Sequence, residues 1–360
     1  MEYTIKKDHY MSIEDAIAAI RPLDVQATEA AWKHWDQIAK PLRSLGKLEQ
    51  AVVQIAGITG NPDVTLEKKA LIIMCADNGV VEEGVTQSGQ EVTAVVAENF
   101  LDTKSCVSIM CRKTGTGIFP VDIGMAVDTP RVEKRKVAYG TKNMVKEPAM
   151  SRKEAVQAIE IGIEKVRELK AEGYQILATG EMGIGNTTTS SAITAVLLDQ
   201  DPQLVTGRGA GLSSKGLLRK VEAIRSAVEK WKPDPKDPLD VLRKVGGFDI
   251  AGLTGVFLGG AAFGIPVVVD GFISAVAALL AVRLAPGCKD YILVSHRSKE
   301  PASQMLLEAL GKEPFLTCDM CLGEGTGAVA LFPILDLALG VYHEMSNFED
   351  AHIETYVPLQ

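Results

Sequence analysis

The stretch Tyr174-Gln-Ile-Leu-Ala178-Thr179-Gly180-Glu181-Met182-Gly183-Ile184-Gly185-Asn186-Thr-Thr-Thr189 governs how the whole chain folds. A short apolar run ends in a small and an acidic residue, and glycines and hydroxyls then lead into a helix. A run this brief, bounded by turn-forming residues, is a buried strand feeding a helix. The same pattern recurs on both sides. Residues 70–75 run into Asp77-Asn78-Gly79, 117–121 into Asp122, 266–269 into Asp270-Gly271, and 291–294 into Ser295-His296-Arg297. Short buried strands alternating with helices are βαβ units, which predicts an α/β fold built on a parallel sheet flanked by helices.

Outside this region the periodicity is helical. Ser12 with Asp15 caps a helix carrying Ile13, Ile17 and Ile20, and Asp24 opens a second through Ala31, Trp35 and Ile38 that Pro41 interrupts. A third carries Leu48, Val52, Val53 and Ile55 to the turn Gly60-Asn61-Pro62, and Ser151 with Glu154 caps one through Val156, Ile159, Ile163 and Val166. Trp32 and Trp35 read as packing residues, and His34 and His343 as surface or packing residues. The tail beyond Leu339 is expected to fold back on the first helices. That gives a small helical domain from both chain ends (1–65 plus 341–360) beside a large α/β catalytic domain (66–340). Residues 232–238, with three prolines, read as a surface connection, and the basic run 131–136 as a solvated loop. Residues 250–269 carry no charge and are long enough to span a bilayer, but their glycines and Pro266 favour a core helix, a turn and a strand.

Of the 360 residues 46% are apolar and 23% charged, the profile of a globular chain with a sizeable core. Lys and Arg number 38 against 46 Asp and Glu, a net charge of −8 that argues against a nucleic-acid partner. Residues 1–8 lack the apolar core of a secretory leader. The six cysteines are scattered, and the single CxxC, Cys318 to Cys321, has no second ligand pair, so no metal site is expected. Reduced thiols, a cytoplasmic setting and no membrane partner follow as the expectation.

In an open parallel sheet, ligands bind beyond the carboxyl ends of the strands. Asp77, Asp122, Glu181, Asp270 and residues 295–298 occupy those ends. Three glycine clusters precede helices: 180–185, 207–211 ahead of Leu218, Val221 and Ile224, and 323–327 ahead of Leu331, Ile334 and Leu337. Free amides at such helix starts favour a phosphate group. Gly180, Gly183 and Gly185 have the reverse of the dinucleotide spacing, and no GxxxxGK[ST], GxSxG or HExxH is present. Glu324, between two glycines and ahead of an apolar helix, is open to two opposed effects. Desolvation raises its pKa toward that of a general base, whereas the helix macrodipole lowers it.

In these segments the chain resembles the nicotinate-nucleotide–dimethylbenzimidazole phosphoribosyltransferase family. The matching motifs are residues 76–84, 180–188, 207–212, 246–253, 267–274, 295–298 and 322–328, in the family's order. The resemblance implies a Rossmann-like large domain, a homodimer, and transfer of 5-phosphoribosyl from nicotinate mononucleotide to a benzimidazole nitrogen without a cofactor. It implies that Glu324 is the general base and that Glu181, Gly183, Gly209, Ala210, Gly211, Lys220, Asp270 and Ser298 contact the nucleotide. Residues 85–93, with Gln87, Ser88, Gln90 and Thr93, would line the base pocket. Asn78 stands where relatives commonly carry His, and this pocket stretch is more polar than usual. Other benzimidazoles, purines and phenolics therefore stay open as acceptors. A nicotinamide-dependent oxidoreductase and a non-catalytic nucleotide sensor are the alternatives, and both leave Glu324 unexplained.

Overall fold

The computed structural model describes residues 10–356, so the N-terminal octapeptide read for a leader lies outside the described residues, as do the outermost parts of the expected small domain. Six strands form one parallel sheet: β1 (Lys69–Ala76), β2 (Thr116–Gly124), β3 (Glu133–Lys134), β4 (Ile176–Met182), β5 (Val267–Val269) and β6 (Ile292–Val294). Their order is β3-β2-β1-β4-β5-β6, the doubly wound Rossmann order with its switch point between β1 and β4. Five of the strands are the apolar runs of the sequence. The sixth corrects the expectation for residues 131–136. The two central residues of that run form the edge strand. Arg135 pairs with Glu133 and Glu168 while Lys136 reaches Asp122 at 2.9 Å, so this half of the run is pinned by ion pairs rather than solvated, whereas Arg131 and Lys134 are exposed. A two-residue edge strand carries no apolar alternation by which it could be recognised.

Helices α1 (Ile13–Ala19), α2 (Val25–Gln37) and α3 (Lys47–Thr59) precede the sheet, and α4 (Glu91–Leu101) and α5 (Cys106–Thr114) join β1 to β2. Helix α6 (Arg152–Ala171) leads into β4. After β4 come α7 (Asn186–Leu197), α8 (Pro202–Val205), α9 (Ser214–Trp231), α10 (Pro238–Val245) and α11 (Phe248–Phe263). Helix α12 (Phe272–Leu284) leads to β6, and α13 (Ser303–Leu310) and α14 (Thr326–Glu344) follow it. Successive β1 side chains face opposite ways, as a strand requires. Ala70, Ile72 and Met74 join a core with α1 and α6–α13, whereas Leu71, Ile73 and Cys75 join one with α2–α5 and α14. Burial on both faces explains the unbroken apolar runs.

The predicted caps are present. Ser12 accepts the Asp15 amide at 3.0 Å, Asp24 accepts that of Ala27 at 2.8 Å, and Ser151 with Glu154 forms a capping box. The tail returns to the end of α2, where Ile38 bridges Asn347 and the Ala39 amide donates to the Ser346 carbonyl at 2.9 Å. Trp35 packs edge-on against Tyr342, and Trp32 lies under the Arg43 guanidinium, so both are packing residues. Residues 250–269 form most of α11, a left-handed turn at Gly264, and β5. A Cβ on Gly255 would collide with the Ile159 carbonyl, and one on Gly162 with that of Gly252. Glycine there lets the α6 and α11 backbones touch. Among the described residues one helix, α14, is long and apolar enough to cross a membrane. Its Val329, Phe332, Leu335 and Ala338 are buried in the second core.

Candidate active site

The carboxyl ends of β4, β5 and β6 open into a cleft of about 310 Å³. It brings together Glu181, Gly183, Gly209, Ala210, Lys220, Asp270, Ser298 and Glu324, with Gln87 and Ser88 on the wall expected to receive the base. Three predicted residues do not line it. The Gly211 carbonyl accepts the Gln87 side-chain amide, while Gln90 donates to the Asn78 carbonyl at 3.2 Å. Thr93 is buried behind the wall, donating to Asp77 Oδ1 at 2.6 Å and accepting the Ile184 amide at 3.2 Å. Gln90 and Thr93 are struts for the glycine turn.

Glu324 occupies a turn that few side chains tolerate. Gly323, Glu324 and Gly325 are all left-handed, with φ of 88°, 62° and 94°. Two carboxylates clasp this turn. Glu181 Oε1 accepts the Glu324 amide at 3.4 Å, and Asp270 accepts the amides of Gly325, Gly327 and Ala328 at 3.2, 2.7 and 3.1 Å. Gly180 gives the turn room, since a Cβ there would sit 2.5 Å from the Glu324 carbonyl oxygen. The Glu324 carboxyl is half-buried, with Oε2 3.4 Å from the Val107 amide in the first turn of α5. Desolvation raises its pKa despite that amide, with Asp270 adding to the rise. Of the two competing effects in the sequence, desolvation wins.

Behind Glu181 lies one more carboxyl, that of Asp249. Asn186 Nδ2 donates to Glu181 and, at 2.9 Å, to Asp249 at the start of α11. Burial, followed by the neighbouring Asp249, pushes Glu181 up to about 8. Burial pushes Asp249 up to about 7, against the hydrogen bond from Asn186. Like charges this close resist ionising together.

The same cleft carries cationic side chains. Lys220 Nζ donates to Thr187 Oγ1 at 2.7 Å and to the Gly207 carbonyl at 3.2 Å, joining the first turn of α7 to the second glycine cluster. Burial pulls Lys220 down to about 8, opposed by Glu300. Arg208 also lines the cleft, with its guanidinium donating to the Leu212 carbonyl at 2.7 Å and the Ser214 hydroxyl at 3.0 Å. A helix start, an ammonium and a guanidinium are groups of the kind that favour an anion, even in an acidic protein.

Asn78 does not reach the cleft. It is fully buried under the glycine turn, donating to the Ile184 carbonyl at 3.4 Å with Oδ1 unpartnered. Sequence reading alone missed Asn186, Arg208 and Asp249, whereas it placed His296 at a strand end without giving it a role. All three missed residues lie inside matched motifs, but nothing in their spacing set them apart. Cys318 and Cys321 are free and exposed, and no group of His, Cys, Asp and Glu suited to a metal ion occurs among the described residues.

A phosphoribosyltransferase family model (DBI_PRT) matches residues 20–353. A nicotinate-nucleotide–dimethylbenzimidazole phosphoribosyltransferase from Ruminiclostridium cellulolyticum is 50% identical over 97% of this chain and 100% of its own. One of the same name from Acetivibrio thermocellus is 50% identical over 95% of this chain and 98% of its own. The crystal structure of CobT from Thermus thermophilus superposes with a TM-score of 0.87 at 39% identity, covering 92% of this chain and 100% of that one. With a six-stranded Rossmann-like sheet and a cleft lined by both a clasped carboxylate and a buried lysine, the chain belongs to the phosphoribosyltransferase family.

Proposed function

We propose that this protein transfers the 5-phosphoribosyl group of nicotinate mononucleotide to dimethylbenzimidazole or a related base, yielding the α-riboside 5′-phosphate and nicotinate for the lower ligand of cobalamin. The observation that carries this reading is the half-buried Glu324 carboxyl facing the same cleft as Lys220 and the glycine turns. The names of the near-full-length relatives support it.

The chemistry requires little beyond positioning and one proton transfer. The pyridinium nitrogen of the donor is already cationic, so nicotinate departs as a neutral ring when the C1′–N bond electrons return to it. An acceptor nitrogen attacks the opposite face of C1′, and Glu324 removes the proton from the base. Lys220, Arg208 and the amides of Gly209 and Ala210 hold the 5′-phosphate. The Asp270 carboxylate offsets positive charge developing on the sugar, while Glu181, pushed up to about 8 by burial, is protonated in the free protein at neutral pH. Gln87 and Ser88, with Val85, Val96 and Leu322, form the acceptor wall.

A homodimer, a cytoplasmic setting and the small helical domain 1–65 plus 341–360 belong to this reading. The six free cysteines suit a reducing compartment, and the bridge from Asn347 to Ile38 supports joining the chain ends. Incubating the protein with nicotinate mononucleotide and dimethylbenzimidazole tests the activity. Nicotinate should appear in step with α-riboside 5′-phosphate, and neither forming would reject the assignment.

A further inference from the structure

The tautomer of His296 is fixed by its neighbour. The Ser295 hydroxyl has one hydrogen and donates it to the Asp270 carbonyl at 2.9 Å. Its contact with His296 Nδ1, at 3.0 Å, therefore has the imidazole as donor. With the proton on Nδ1, a neutral ring leaves Nε2 as a bare lone pair. Burial lowers the imidazole pKa against the pull of Asp270, which favours that neutral form.

Nε2 makes no hydrogen bond within the described residues, yet it is not among the sealed unpartnered polar atoms. His296 lines the cleft with Asp270 and Ser298, on the side where the donor would lie. Packing fixes the ring: a Cβ on Gly327 would collide with Nδ1, and one on Gly271 would stand 3.5 Å from Nε2. A buried acceptor opening only onto a ligand cleft calls for a donor from the ligand.

Nicotinate mononucleotide offers few. Its carboxylate and ionised phosphate only accept, and its ring nitrogen is alkylated, which leaves the two ribose hydroxyls. Asp270 commits its oxygens to three amides, and Glu181 is engaged by Asn186 and the Glu324 amide. We infer that His296 Nε2 accepts a hydrogen bond from a ribose hydroxyl of the donor nucleotide, making His296 a donor-binding residue of the transferase. This rests on the phosphoribosyl-transfer reading above.

Nicotinate release is compared for nicotinate mononucleotide and its 2′-deoxy and 3′-deoxy analogues, in wild type, His296→Asn and His296→Gln. Wild type should lose about tenfold in kcat/KM with one analogue. His296→Asn keeps a donor near Ser295 but removes the acceptor. It should lose that factor with the parent donor and lose nothing further with the same analogue. His296→Gln, with an oxygen near the Nε2 position, should retain the preference. Equal use of all three donors by wild type overturns the inference without any variant. Undiminished discrimination by His296→Asn, or a KM increase confined to the benzimidazole, overturns it as well. A wild-type protein that releases no nicotinate from any donor strikes the transferase reading itself, a result distinct from these.

Discussion

The carboxylate of Asp270 accepts the backbone amide of Gly327 at 2.7 Å, tying the first turn of α14 to the end of β5. Because the amides of Gly325 and Ala328 share that carboxylate, Asp270 is an N-terminal anchor for α14 as well as a wall of the cleft. It holds the turn that carries Glu324. Asp270→Asn sets an N–H₂ group among these amide donors. It is expected to cost about 2 kcal/mol of stability and to lower kcat at least about tenfold. Thermal melting and steady-state rates check this, and a wild-type kcat with an unchanged melting temperature would count against the anchor.

Glu324→Gln preserves the shape of the side chain and removes the base. Donor affinity should stay within about twofold while kcat falls by about 10²–10⁴, the usual weight of general-base catalysis. Since desolvation raises the Glu324 pKa, the wild-type rate should fall on its acid limb above the ordinary carboxylate range, as protonation removes the base. That limb should be absent from the residual activity of the variant. A pH–rate profile of each protein provides the comparison.

Much of this was legible in the sequence. Residues 70–75 and 174–178 declare themselves as strands because both sheet faces are covered, and Glu324 stands out between glycines that a left-handed turn demands. What was hidden depends on tertiary placement. Asn186 and Asp249 meet only because α7 and α11 start side by side under β4. Thr93 was assigned to the base pocket, but the phase of α4 turns it inward to Asp77, and Val96, one helical turn later, reaches the cleft. The β3 edge was hidden because ion pairs rather than apolar residues hold it.

Lys220→Met keeps the apolar stem and deletes the charge. The donor KM should rise about 30-fold, as a charge-assisted hydrogen bond to phosphate is lost. Nicotinate riboside, which lacks the phosphate, should be used equally poorly by both proteins. Burial holds Lys220 at about 8 in the free protein, so donor affinity should weaken as pH rises past that value and the ammonium deprotonates. Isothermal titration across this range measures it, and an affinity flat with pH would remove Lys220 from the phosphate site.

Glu181 makes the unliganded protein sensitive to alkali. Its folded pKa, about 8, is raised above the ordinary value of 4.5, so the folded state favours its protonated form. That stabilisation is fully present below the unfolded pKa and is lost as pH rises through the folded one. Glu181→Gln stays neutral and should raise the melting temperature at pH ~9 by roughly 5 °C, with little change near pH ~4.5. Differential scanning calorimetry at the two pH values would expose the opposite ordering.

The contact between the α6 and α11 backbones reaches as far as the chemistry. Asp249 opens α11 and Gly255 lies six residues further along it, about 9 Å at helical rise. A single methyl group on Gly255 would act as a wedge, levering α11 away from Ile159. The displacement would reach the cleft through Asp249 and Asn186. A side chain too small to matter elsewhere would there disturb catalysis from outside the substrate site.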